Sequence, residues 1–156
     1  MPVIYLSPST QEWNAYVTGS GSEEYHMNQL ADALVPYLWS NAIRYQRNRP
    51  DMTAASSIRE GNAGDYDLYL ALHSNAAPEG HYGEERGIIA FYYPGSQQGQ
   101  RAAELIVEEL RQIYPLPNKV TTRETTSLGE VRQPRAPAVL VEIGYHDNYA
   151  DAVWIE

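Results

Sequence analysis

Short apolar runs alternate with longer amphipathic stretches along this chain. Four apolar runs are bounded by polar or turn residues, and they fall at 3–6, 68–72, 87–93 and 138–141. Continuous apolar runs of this length are typical of strands buried on both faces, as in a parallel sheet covered by helices. We therefore predict that these four segments are strands of a central sheet.

Apolar residues at helical spacing lie between the predicted strands. Ser22 is placed to cap a first helix, with Glu23 and Glu24 in its first turn. A buried stripe then follows at spacings of three and four: Met27, Leu30, Ala31, Leu34 and Leu38. Further helices are predicted at 53–62 and from about residue 97 to Ile113. The pattern predicts one α/β domain with a mainly parallel central sheet and helices on both faces.

Composition narrows the class of protein. With 156 residues the chain is long enough for one domain. Its net charge of −9 argues against nucleic acid as a partner, and the absence of cysteine excludes thiolate metal sites. We find no transmembrane segment, and the start Met1-Pro2-Val3 lacks the basic residues of a signal peptide. A protein of this kind that works outside the cell would need another route of export or release.

Two of the predicted strands carry residues that suit catalysis. The run 68–72 ends at His73, Ser74 and Asn75, and functional groups gather at the carboxyl ends of strands in α/β sheets. The last predicted strand carries Glu142 directly after an apolar run. Burying an uncompensated carboxylate costs several kcal/mol. We therefore interpret Glu142 as functional, with His73 on a neighbouring wall of the same site.

A zinc site with a separate general base is one interpretation of Glu23, His73 and Glu142. Imidazole and carboxylate ligands suit zinc, and a second carboxylate could move the proton. The three residues are far apart in sequence, so spacing alone is weak evidence. His73 could instead cap the sheet, and Glu23 could be an ordinary first-turn acid that favours the helix dipole.

A family resemblance adds to this interpretation. The segments Leu72-His73-Ser74-Asn75-Ala76 and 137–145, with Asn148, resemble the zinc-dependent N-acetylmuramoyl-L-alanine amidases of the type 3 family, found in autolysins and endolysins. The resemblance implies that Glu23 and His73 ligate zinc and that Glu142 is the catalytic acid/base. We also name Asn75 as a candidate for substrate binding. The resemblance also implies action on peptidoglycan in the bacterial cell wall, through hydrolysis of the amide between the muramic acid lactyl group and L-alanine.

The chain departs from the family pattern in two places. Thr10 stands where the family carries its first histidine ligand. We name His146 as the candidate for the third ligand, with His26 the second choice; loss of the metal is the alternative. We also expect the family's C-terminal helix to be missing or truncated in this domain, 1–156, which would leave an apolar strip exposed.

Two other functions stay open at this point. A non-catalytic module could keep the fold and bind muropeptide without cutting it, and Thr10 favours that alternative. A regulatory domain unrelated to the cell wall is the third, but it gives no reason for an acid at position 142. The sequence does not indicate the oligomeric state.

Overall fold

A computed structural model describes all residues from Met1 to Glu156. Strands and helices alternate along most of the chain in the following order: β1 Val3–Pro8, α1 Glu23–Ser40, β2 Arg44–Arg47, α2 Ala54–Ala63, β3 Leu68–Asn75, β4 Ile88–Tyr92, α3 Gln97–Ile113, β5 Val120–Glu124, α4 Gly129–Arg132, β6 Ala138–Tyr145 and α5 Tyr149–Ile155. A short 3-10 turn, Pro117–Lys119, precedes β5. No helix is both long and apolar enough to cross a membrane.

The six strands form one sheet in the order β2-β1-β3-β6-β4-β5. Every neighbouring pair is parallel except β4 and β6, which are antiparallel. The predicted fold class, a single α/β domain with a mainly parallel sheet, is therefore confirmed. The sheet places the carboxyl ends of β1, β3 and β6 side by side.

Helices cover both faces of the sheet, as predicted. On one face, Met27 and Ala31 of α1 pack on Leu6 and Leu72, while Ala103 and Val107 of α3 belong to a cluster with β4 and β6. On the other face, Ile58 of α2 and Val131 of α4 pack with Tyr5, Tyr69 and Leu140. Side chains two apart on one strand share a face, so Tyr69, Ala71 and His73 all point toward α2 and α4.

Local sequence explains where the helices begin. Ser22 caps α1 by accepting a hydrogen bond from the backbone N–H of Tyr25, as predicted. The cap of α2 is Thr53, and Thr53 and Ser56 exchange side-chain and backbone hydrogen bonds in a capping box. The two edge strands β2 and β5 were missed, because alternating charged and polar residues on an edge carry little apolar signal.

The short helix α5 is fastened to the sheet through a buried carboxylate. Asp151 accepts hydrogen bonds from Arg86 Nε at 2.8 Å, Tyr114 Oη at 2.6 Å and the backbone N–H groups of Gly87 and Tyr145. This bonding satisfies both carboxylate oxygens. Asp151 is therefore a structural acid with no group left for chemistry.

An apolar groove lies open between α1 and α3. Nine of its ten lining residues are hydrophobic, and they include Leu30, Leu34, Leu105 and Leu110 on the helices and Val141 on the sheet. The groove lies on the sheet face opposite to the one that carries His73 and Glu142.

Candidate functional site

His73 and Glu142 are direct neighbours across the sheet. They pair in the β3–β6 register at the carboxyl end of both strands, just before the ladder shifts between His73 and Asn75. Parallel strands in register place paired side chains on the same face. The sequence-based expectation that these two strands form adjoining walls of one site agrees with this register.

The imidazole of His73 lies between two carboxylates. Its Nδ1 is 2.9 Å from Glu23 Oε1, and its Nε2 is 2.8 Å from Glu130 Oε1. All three side chains are buried. Burial alone would lower the pKa of His73, but the hydrogen bonds to Glu130 and Glu23 outweigh it and raise that pKa to about 10. Without a metal, His73 is therefore an imidazolium with both N–H groups donated.

Glu23 reaches His73 from the first turn of α1. Its Oε2 accepts a 2.7 Å hydrogen bond from Asn14 Nδ2 in the loop after β1, and the Ser74 backbone N–H approaches its Oε1 at 3.4 Å. Burial pushes its pKa up, yet the hydrogen bond and charge of His73 and the bond from Asn14 hold the pKa below its usual value. Glu23 is consequently ionised and fixed beside His73.

Glu130 is the site residue that the sequence did not reveal. It lies in α4, a single turn in a segment that read only as polar, and its side chain is 5% exposed. Its Oε2 accepts hydrogen bonds from Ser7 Oγ and Tyr69 Oη, both at 2.6 Å. No local pattern marks this residue, because its partners come from β1 and β3, far away in sequence.

Glu142 has a free, buried oxygen. Its Oε2 is excluded from solvent and is the one buried side-chain polar atom without a hydrogen-bond partner. Burial raises the pKa of Glu142 to about 7; the positive charge of His73 opposes this, and the negative charges of Glu23 and Glu130 add to it. A carboxyl group with a pKa near neutrality and an unpaired oxygen can accept a proton and return it.

His146 lies near the site but is engaged elsewhere. Tyr16 donates to Ser74 Oγ at 2.9 Å, and Ser74 Oγ lies 2.9 Å from His146 Nδ1. Burial lowers the pKa of His146, and its Nδ1 is already paired with Ser74. The structure brings Glu23 and His73 together but does not gather His146 with them into a set of three ligands.

The remaining candidates are placed as follows. His26, the second choice for the third ligand, is buried against the ring of Tyr16 in the loop before α1, with ring centroids 4.2 Å apart. Asn75 is partly exposed at the end of β3, and its Oδ1 accepts from the Ala76 backbone. Its amide nitrogen is free for a substrate.

An open cleft of about 260 Å³ leads to His73 and Glu130. Thr10 and Gln11 from the loop after β1 line it, together with Asn48 and residues of α2. Trp13, also in the lining, is 72% exposed. Position 10 therefore shares a cleft with His73.

Glu23 and His73 are residue types that bind zinc, but they are only two of the three protein ligands that a catalytic zinc site usually has. A carboxylate oxygen of Glu23 and an imidazole nitrogen of His73 are neighbours, and a zinc-bound histidine normally donates its second N–H to a carboxylate, as His73 does to Glu130. Catalytic zinc usually has three protein ligands. No group of three or more His, Cys, Asp or Glu residues suited to a metal is present. The residues thus fit two of the usual three positions.

Comparison with known proteins identifies the class. Residues 11–156 match the family model described as N-acetylmuramoyl-L-alanine amidase. The chain belongs to this family of hydrolases, which act on the peptidoglycan of the cell wall. It is therefore an amidase by family, as the sequence predicted, and the reaction is hydrolysis of the bond between the muramic acid lactyl group and L-alanine. The comparison with curated proteins gave no match.

Solved structures share the fold. AmiC2 of Nostoc punctiforme is 14% identical, with a TM-score of 0.82 over 99% of this chain and 85% of that one. The CwlD amidase of Clostridioides difficile, solved with the GerS lipoprotein, is 16% identical, with a TM-score of 0.81 over 99% and 88%. The catalytic domain of the CD27L endolysin, which targets Clostridia difficile, is 19% identical, with a TM-score of 0.76 over 98% and 87%.

Proposed function

We propose that Glu142 is the general acid/base of the amidase reaction and that His73 and Glu23 form the metal-facing wall of the same site. The observation that carries this proposal is the buried, unpaired Oε2 of Glu142, directly across the β3–β6 ladder from His73. A stabilising role would leave that oxygen hydrogen-bonded, as both oxygens of Asp151 are.

Proton movement through Glu142 accounts for both halves of the hydrolysis. The ionised carboxylate takes a proton from water as the water oxygen attacks the amide carbonyl carbon. The carboxyl group then gives this proton to the amide nitrogen as the carbon–nitrogen bond breaks. The products are the lactyl carboxylate of muramic acid and the free amino group of L-alanine. A pKa of about 7 lets one group perform both transfers near neutral pH.

Zinc is the cofactor that we propose, with Glu23 and His73 as its ligands; His146, the third ligand of the sequence hypothesis, lies against Ser74 instead. Zinc supplies a Lewis acid that polarises the carbonyl. His73 must lose its Nδ1 proton to bind the metal, while Glu130 keeps the Nε2 proton in place. Substrate reaches the site through the cleft, where exposed Trp13 is available to hold peptidoglycan. The free amide of Asn75, at the end of β3, offers a second contact outside this cleft.

One alternative has a specific observation behind it. A muropeptide-binding module without catalysis is favoured by Thr10 and by a donor set one short of three. Both proposals place the protein at the cell wall. They differ in whether the substrate is cut.

Product analysis separates the two. Purified muropeptide is incubated with the protein with added zinc and, in parallel, with chelator, and the products are identified by mass spectrometry. The proposal predicts free peptide with an L-alanine amino terminus in the zinc sample. Bound but intact muropeptide in both samples would establish the binding module.

A further inference from the structure

A buried hydrogen-bond network ends on one nitrogen of His73. We propose that Glu130 is a positioning residue of this amidase, which fixes the His73 ring so that Nδ1 faces Glu23 and Nε2 carries a proton. The inference rests on the proposed function in that His73 serves as a metal ligand. It assigns a role to Glu130, to which the family resemblance gave none.

The bonding of Glu130 leaves only one of its oxygens for His73. Oε2 is taken by two short hydrogen bonds, one from Ser7 on β1 and one from Tyr69 on β3. Oε1 is then directed at His73 Nε2, at 2.8 Å. Because a carboxylate only accepts hydrogen bonds, it selects the protonated form of the nitrogen that it faces.

The network is fastened to two further elements. Asn48, after β2, donates from Nδ2 to Ser7 Oγ at 3.2 Å, to the Pro8 carbonyl at 3.0 Å and to Ser57 Oγ in α2 at 2.9 Å. Asn48 is 5% exposed and Ser57 is fully buried. Ser7 and Tyr69 therefore hold Glu130 directly, while Asn48 and Ser57 support Ser7, and this bonding keeps the carboxylate turned toward His73.

A stabilising role alone does not explain this acid. Glu130 has no Arg or Lys partner, and a buried ion pair is often no more stable than a well-packed apolar group. The carboxylate does supply what an apolar group lacks, an acceptor for a ligand histidine. Outer carboxylates of this kind typically change metal affinity by about 10- to 100-fold.

The test replaces Glu130 and measures zinc binding and the ring of His73 directly. In Glu130→Gln we expect zinc affinity, from competition with a chelator, to fall by roughly 10- to 100-fold. In the metal-free protein, the Nε2 proton of ¹⁵N-labelled His73 should resonate far downfield, and Glu130→Gln should move it upfield or lose it to exchange. The chain has 4 histidines, so assignment is direct.

Asp151→Asn is the matched control. It also removes a buried carboxylate charge, but Asp151 bonds to Arg86, Tyr114 and backbone groups, with no bond to His73. We expect it to lower stability and to leave the His73 resonance and zinc affinity unchanged.

The proposal is overturned if Glu130→Gln leaves the His73 ring proton in place, or if zinc affinity falls equally in Asp151→Asn. Neither readout requires turnover. A wild-type protein that binds zinc but cuts no muropeptide would contradict the proposed function alone. If the wild type bound no zinc, the ring proton would still decide whether Glu130 positions His73.

Discussion

Glu142 lies opposite His73 across two parallel strands, and the two residues have opposite hydrogen-bonding states. Both nitrogens of His73 are bonded to carboxylates, whereas Glu142 keeps one buried oxygen with no partner. The imidazolium lowers the pKa of Glu142 and the two carboxylates raise it, with burial the largest effect. His73, which is held by its hydrogen bonds, therefore helps to set the pKa of Glu142, whose Oε2 has no partner.

The first prediction concerns the pH dependence of activity. Glu142 must be ionised to take a proton from water, and its pKa is about 7. We expect kcat/KM to rise with pH and to reach half its plateau near pH 7. Initial rates on a soluble muropeptide between pH 5 and 9 measure this, with zinc content checked at each pH. A profile without an inflection near pH 7, already close to its plateau at pH 5 as an ordinary Glu pKa of 4.5 would give, would contradict Glu142 as the titrating base.

The second prediction concerns stability. The pKa of Glu142 is higher in the folded protein than its ordinary value, so folding favours the protonated carboxyl group. The contribution of this group to the free energy of unfolding is complete below about pH 4.5 and is lost as the pH rises through 7. Glu142→Gln cannot ionise, so it should gain stability relative to wild type over that range. Since one pKa unit corresponds to about 1.4 kcal/mol, the gain is about 3 kcal/mol. Urea denaturation at pH 5 and pH 8 tests this. If the difference in unfolding free energy between Glu142→Gln and wild type were the same at pH 5 and pH 8, the raised pKa would be contradicted.

The third prediction concerns the two ligands. His73→Ala and Glu23→Ala should each lose bound zinc and activity, because the site has no ligand to spare. His73→Ala also leaves two buried carboxylates without their partner, which should cost about 3–5 kcal/mol of stability.

Glu24→Ala is the control for this pair. Glu24 is the neighbouring first-turn acid, and its side chain approaches only Asn28. It should keep zinc and activity close to wild type. Zinc measured per folded protein separates loss of a ligand from loss of fold, and full zinc content in folded Glu23→Ala would remove Glu23 from the ligand set.

The fourth prediction concerns position 10. Thr10 lines the same cleft as His73, and no group of three metal-binding side chains is present. We expect Thr10→His to raise zinc affinity by more than about tenfold, which corresponds to about 1.4 kcal/mol. His146→Ala should have a small effect, since its Nδ1 is bonded to Ser74.

The reverse pair of results for these two variants would establish His146 as the third ligand. In that case His146→Ala would abolish zinc binding and Thr10→His would change little. Chelator competition on the two variants and the parent distinguishes these results.

The sequence predicted those parts of the site that local pattern encodes. His73 follows an apolar run, Glu142 interrupts one, and Glu23 begins a helix after a capping serine, so each stands out from its neighbours. Glu130 does not stand out, because its role comes from contacts with Ser7, Tyr69 and His73, which only the fold brings together. The strands β2 and β5 were missed for a related reason, since edge strands lack the apolar run of central ones.

The rate of Glu142→Gln tests the account most directly. Glutamine keeps the size of the side chain but cannot accept the proton, so amide hydrolysis should fall by roughly two to four decades, with zinc content and muropeptide binding unchanged. The measurement is release of the L-alanine amino terminus from purified muropeptide, at pH 8 and with saturating zinc. A rate within a few-fold of wild type would contradict the assignment of Glu142 as the acid/base.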